Sequence, residues 1–135
     1  MKGDFEKMKA YDIYKRTCAI MFEREGEDKS FAENFIGVLN ALICEALPYE
    51  NAHRASRGIK ELGAAPQIRS TDEEVDMCEG ICAIALPYGV ASYFYQDDGE
   101  GYKSAAYRER FISALNEAAR YSFSDITDVY GGEGI

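Results

Sequence analysis

At 135 residues, with 47% hydrophobic and 29% charged side chains, the chain suffices for one domain with a buried core and is too short for two. The same balance excludes a disordered polymer. A formal charge of −9, from 15 cationic and 24 acidic side chains, repels nucleic acid at long range and argues against a DNA or RNA reader.

The N-terminal stretch MKGDFEKMKAYD lacks the apolar run of an export signal, so the four cysteines are expected as free thiols in a reducing compartment. Asp4 is a candidate cap for a first helix, on which Tyr11, Tyr14, Cys18 and Met21 recur at helical spacing. EREGEDK then reads as a loop around Gly26. Ser30 with Glu33 forms a capping-box pattern ahead of the apolar stripe Phe31, Phe35, Val38, Leu39, Leu42 and Ala46. Pro48 interrupts this run, so 30–57 is expected as one bent helix or two abutting ones, ended at Gly58. GIKELGAAPQIRS, residues 58–70, has no periodicity and reads as the longest loop, with Leu62 and Ile68 as anchors.

The rest of the chain is organised around residues 70–96, STDEEVDMCEGICAIALPYGVASYFYQ. One stripe runs Val75, Cys78, Cys82, Leu86 and Gly89; a second runs Met77, Ile81, Ile84, Tyr88, Ala91 and Tyr95. Both step by three and four, which predicts a helix apolar on two faces and enclosed by other helices. Ser70–Glu73 and Thr71–Glu74 offer capping boxes for its start, and Pro87 is expected to bend it. The uncharged window 80–96 is shorter than the roughly 20 residues a bilayer crossing needs, and no membrane span is predicted. After the turn QDDGEG, a last helix over 101–121 turns Tyr107, Phe111, Ile112, Leu115, Ala118 and Ala119 inward. Arg108, Glu109, Arg110, Glu117 and Arg120 are expected outside. Residues 122–135 read as an extended tail. The expected fold is all-α: a compact bundle of four to five helices around a central apolar helix, with residues 1–121 as the helical domain.

Few residues invite chemistry. Cys78 and Cys82 lie one helical turn apart, but Cys18, Cys44 and His53 supply no knuckle spacing, so core packing is expected rather than a metal site. No calcium loop, phosphate loop, nucleophile elbow or HExxH occurs. No catalytic residue, cofactor or metal is therefore assigned, and the chain is not expected to be an enzyme. His53, Arg54, Arg57 and Lys60, with Arg69 further on, form the one basic cluster: either a contact patch for an acidic partner or phosphate, or a solvated helix face. Phe123, Ile126, Val129 and Tyr130 in the tail need a place to bury, on a neighbouring subunit or on their own domain. Tyr49, Tyr93, Tyr102 and Tyr130 lie off the clearest stripes, which favours a binding surface.

The helix with ALPYGVASYFYQDD, the following AAYRERFISALNEA, the tail DITDVY and the upstream NFIGVLNALICEALPYENAHRASRG together resemble the head–tail connector (neck adaptor) proteins of tailed bacteriophages and prophages, over residues 30–130. The resemblance implies an all-α homo-oligomeric ring below the portal protein in the virion neck, assembled in the host cytoplasm. Such a ring extends the DNA channel and docks downstream neck or tail proteins. DNA would pass without sequence-specific binding, since an acidic lumen avoids tight phosphate contacts. A cytoplasmic α-helical adaptor or regulatory protein binding one protein partner is the alternative, ahead of an enzyme with an unrecognised site.

Overall fold

The computed structural model describes the backbone of residues 7–133 and the side chains of residues 7–120. Four α-helices follow in order: α1 (Ala10–Met21), α2 (Lys29–Ser56), α3 (Leu86–Asp97) and α4 (Gly101–Glu133). A π-helical turn, Ile81–Ala85, leads directly into α3. Among the described residues there is no β-strand, only an isolated bridge between Lys9 and Glu74. The fold is an all-α bundle, as the periodicities predict.

The middle of the bundle is α3, which touches α1, α2 and α4. Leu86, Gly89, Val90, Ala91, Ser92, Phe94 and Tyr95 are all buried, so this short helix carries apolar contact on nearly every side. Its closest packing is at Gly89. A Cβ there would lie 2.9 Å from both Leu42 Cδ2 of α2 and Phe111 Cδ1 of α4. The bare glycine thus lets three helices meet. At one end, Tyr14 of α1 meets Phe31 and Phe35 of α2 edge-on at 5.5 and 5.2 Å, and Phe31 stacks on Phe94 of α3 at 4.2 Å.

The central helix is shorter than expected. Residues 70–78 are not its acid-led start, and helical backbone begins only at Glu79. The carboxylate of Glu73 does accept the Ser70 N–H at 3.0 Å, as a capping box requires, but no helix follows. The backbone of 71–75 has another task. Thr71 O accepts the Tyr11 N–H and Glu73 O the Ala10 N–H, both at 2.9 Å, while Val75 donates to Met8 O at 2.8 Å. The carbonyls of Glu73 and Thr71 thus satisfy the first two N–H groups of α1, and Asp12 Oδ2 accepts the Lys9 N–H ahead of them at 3.0 Å. Val75 and Met77 alternate inward from this extended segment.

The π turn carries the second departure. The Leu86 N–H bonds Ile81 O, an i→i+5 step, just before Pro87, which has no N–H to give and whose ring crowds the preceding turn. The extra residue breaks the 3.6 register, and Ile84 lies 52% exposed. By contrast α2 passes straight through Pro48 as one helix, and its cap is Asp28, which accepts the Phe31 N–H, not Ser30. It is long and apolar enough to cross a bilayer, with mean hydropathy 1.3 in its most apolar window. Phe35, Leu39, Leu42 and Ile43 are nevertheless buried in the bundle.

Two further expectations change. Arg108 is not simply outward: its guanidinium forks onto both oxygens of Glu45. The tail over 122–133 is not extended, because α4 continues as helix to Glu133. The residues SFSDITDVY are free of proline, and the glycines that break helices come only at Gly131. Asp4, the proposed first cap, lies outside the described residues; the residue preceding α1 is Lys9.

Candidate functional site

The basic cluster sits on the last turns of α2 and in the loop after it, but its most central cation is committed to the fold. Arg54 Nε donates to Glu50 Oε2 at 2.6 Å, Nη2 to Asp76 Oδ1 at 3.1 Å and Nη1 to Lys60 O at 3.1 Å. The other Glu50 oxygen accepts the Cys78 N–H at 2.8 Å. Glu50 thus places a buried carboxylate at the N-terminus of the central helix, where orphan N–H groups and the helix dipole favour a negative charge. Lys7 completes the set with a 2.6 Å bond to Asp76. Lys7 first and Arg54 after it hold the Asp76 carboxyl below its ordinary value, and the Glu50 bond holds Arg54 more firmly protonated than usual.

Charges arranged this way neutralise one another and tie the 76–78 turn and the chain before α1 to α2. His53 is half-buried, while Arg57 and Lys60 are exposed. The four sequence neighbours therefore do not form one outward cationic surface. The other expected contact residues, Phe123, Ile126, Val129 and Tyr130, lie outside the residues whose side chains are described.

The loop over 58–70 is an irregular segment as predicted, with Ile68 buried and Leu62 half-buried. Two asparagines of α2 fasten it. Asn51 donates to Leu62 O at 3.0 Å and accepts the Leu62 N–H at 2.7 Å. Asn40 holds Ile68 in the same two-point manner. Nothing in the local sequence of either asparagine signals a partner so far along the chain.

Aromatic side chains occupy two surfaces. Between α3 and α4, Tyr107 lies 5.4 Å from Tyr95 and 5.9 Å from Tyr88, with Arg110 over Tyr107 and Tyr88 and Lys103 over Tyr95. These cations are held against ring faces. On the other side, Ser30, Asn34 and Val38 of α2 and Tyr93, Phe94, Gln96 and Asp97 of α3 line an open groove of about 590 Å³. Tyr93 is 37% exposed and Tyr102, on the first turn of α4, is 94% exposed. Tyr49 instead packs against the core.

The cysteines divide by position. Cys82 is buried, its thiol pushed up to about 12 by desolvation, and Cys78 rises to about 11 for the same leading reason. Cys18 is buried with its pKa raised by desolvation, and Cys44 is exposed. Among the described residues no three His, Cys, Asp or Glu side chains gather in a way that could hold a metal ion. Buried side-chain nitrogens and oxygens among them all have hydrogen-bond partners. No family model, curated protein or solved structure matches this chain.

Proposed function

We propose that this chain is a structural, ring-forming subunit of the bacteriophage head–tail connector kind, acting by assembly with its own copies and with portal and neck proteins. The observation that carries the reading is the length of α4. Its 33 residues make a rod of roughly 50 Å, longer than the 28-residue α2 and than the π turn and α3, Ile81–Asp97, against which it packs. Ala118 stands beside Gly80, at the start of the central helix, and helical backbone continues from there to Glu133. Positions 123, 126 and 130 recur on that continuation at helical spacing. A helix longer than each of those it packs against, with an apolar repeat on its last turns, is suited to packing against a neighbouring subunit.

The acidic balance fits the same role. In a ring, a net charge of −9 per subunit would line or flank the channel with repulsion toward DNA phosphates, allowing passage without grip. Sedimentation and electron microscopy of the chain, alone and with portal assemblies, test the reading. Closed rings or incorporation below the portal are expected, and truncation after Tyr121 should abolish both. A chain that stays monomeric and never enters neck particles would overturn it.

A further inference from the structure

The groove between the N-terminal half of α2 and the end of α3 lies at the acidic pole of the bundle. Two turns meet at this pole. FEREGEDK, residues 22–29, and DDGEGYK, residues 97–103, together carry seven carboxylates and three cations. Their proximity is geometric: Ser30, directly after the first turn, and Asp97, in the second, line the same groove, and Phe31 stacks on Phe94 at 4.2 Å. The groove floor is apolar, formed by Val38, Tyr93 and Phe94, while Ser30, Asn34 and Asp97 form a polar rim. Its volume of about 590 Å³ is enough for one or two large side chains.

We propose that this groove receives a cationic amphipathic segment of a different protein, with an apolar side chain seated on Tyr93 and Phe94 and basic residues facing the surrounding carboxylates. Charge complementarity selects that occupant. Nucleic acid is repelled at this pole. A second copy of the chain brings its own −9, and the cation at the centre of its basic cluster is already bound to Glu50 and Asp76. The segment's cations instead meet carboxylates in excess, which raises its association rate, and its apolar anchor supplies the residence time. The inference stands whether or not the chain forms a ring.

An amphipathic Leu/Lys peptide of about five helical turns, and its Leu/Glu counterpart, serve as probes. Fluorescence anisotropy should show the Leu/Lys peptide binding and weakening with salt, and the Leu/Glu peptide failing to bind. Backbone amide shifts should concentrate at 30–38 and 93–98. Asn34→Lys alters an exposed residue and Tyr93→Ser a half-exposed one, and each should weaken binding at least about tenfold. Ile84→Ser, on another face, should leave it unchanged. Shifts scattered over the acidic surface, or Asn34→Lys binding like the parent, would overturn the proposal. So would self-association that Asn34→Lys abolishes, which assigns the groove to a second copy.

Discussion

Asn40 grips the backbone of Ile68 with both ends of its amide, its Nδ2 donating to the carbonyl and its Oδ1 accepting the N–H, each at 2.8 Å. The geometry imitates one rung of a β-ladder using a side chain. Three turns further along α2, Asn51 repeats it on Leu62. The long loop is thus laid along α2 by two side-chain clamps in place of secondary structure of its own. Asn40→Ala should cost about 2 kcal/mol in chemical denaturation, because it removes two bonds and leaves a half-buried peptide unit short of partners. Asn51→Ala should cost about the same. The clamps are roughly 16 Å apart along the helix, so the double variant should be close to additive.

The Glu50–Arg54–Asp76 set gives a second expectation. Arg54→Ala leaves the Glu50 carboxylate buried without its cation, and a loss of about 3 kcal/mol or more is expected. Glu50→Gln combined with Arg54→Met removes both charges together and should cost less than the two single changes summed. Asp76 adds a pH dependence whose sign is fixed by its lowered pKa. Its contribution is complete above the ordinary value of 3.8 and is lost as pH falls through the lower folded value. Acid titration of Asp76→Asn should therefore lose stability less steeply below that pH than the parent. Because the Asp76 side chain is 41% exposed, high salt should shrink the difference.

At the centre of the bundle, Gly89→Ala sets two effects against each other. Alanine is the better helix former by about 1 kcal/mol. Its Cβ, however, would press on Leu42 and Phe111, both fully buried in a packed core. Overpacking of this kind costs about 1–3 kcal/mol, so a net destabilisation of about 1 kcal/mol is expected in thermal or urea unfolding. A gain in stability would mean that α2 and α4 can separate without loss.

Much of this arrangement is legible in the residues. The apolar stripe from Phe31 to Ala46, the enclosed run around Leu86 and Val90, and the alternation of Phe111, Leu115 and Ala118 all report burial directly, because periodicity and core contact have one cause. The acid-led segment misled for a physical reason. STDEEVD has the residues that cap a helix, and these also favour turns. The choice between the two is made by distant groups, the N–H donors of Ala10 and Tyr11 and the carboxylate of Glu50. Arg54 likewise looks like a surface cation from its neighbours, and only Asp76, 22 residues away, reveals its role. The groove is still less visible, since it is assembled from two helices that meet only in the folded chain.

Thiol chemistry separates the four cysteines. Cys44 is exposed on α2, whereas Cys18 and Cys82 are buried and Cys78 is largely protonated with a pKa of about 11. A disulfide exchange reagent at pH 8 should modify one thiol rapidly in the native chain and the remaining three only after denaturation. Cys44→Ser should remove the fast phase without changing stability measurably. Rapid modification of Cys78 would indicate that the 76–78 turn opens away from Glu50.

Phe22 ends α1 in a left-handed conformation, φ +59° and ψ +36°, with its ring 95% exposed. The turn it closes is a Schellman arrangement: the Phe22 N–H bonds Ala19 O, and the Glu23 N–H bonds Cys18 O at 2.8 Å. Glycine is the usual residue at this position because a Cβ is strained there by about 1–2 kcal/mol. Glycine in turn loses more backbone entropy on folding, by about 0.5–1 kcal/mol. With almost no ring packing to forfeit, Phe22→Gly should stabilise the isolated chain by about 1 kcal/mol, read as a higher urea midpoint at unchanged slope. Phe22→Ala keeps the Cβ and should show no such gain. If Phe22→Gly instead destabilises the chain, the exposed ring must contact something in solution, and comparing the sedimentation of the two variants would show whether that contact is a second copy.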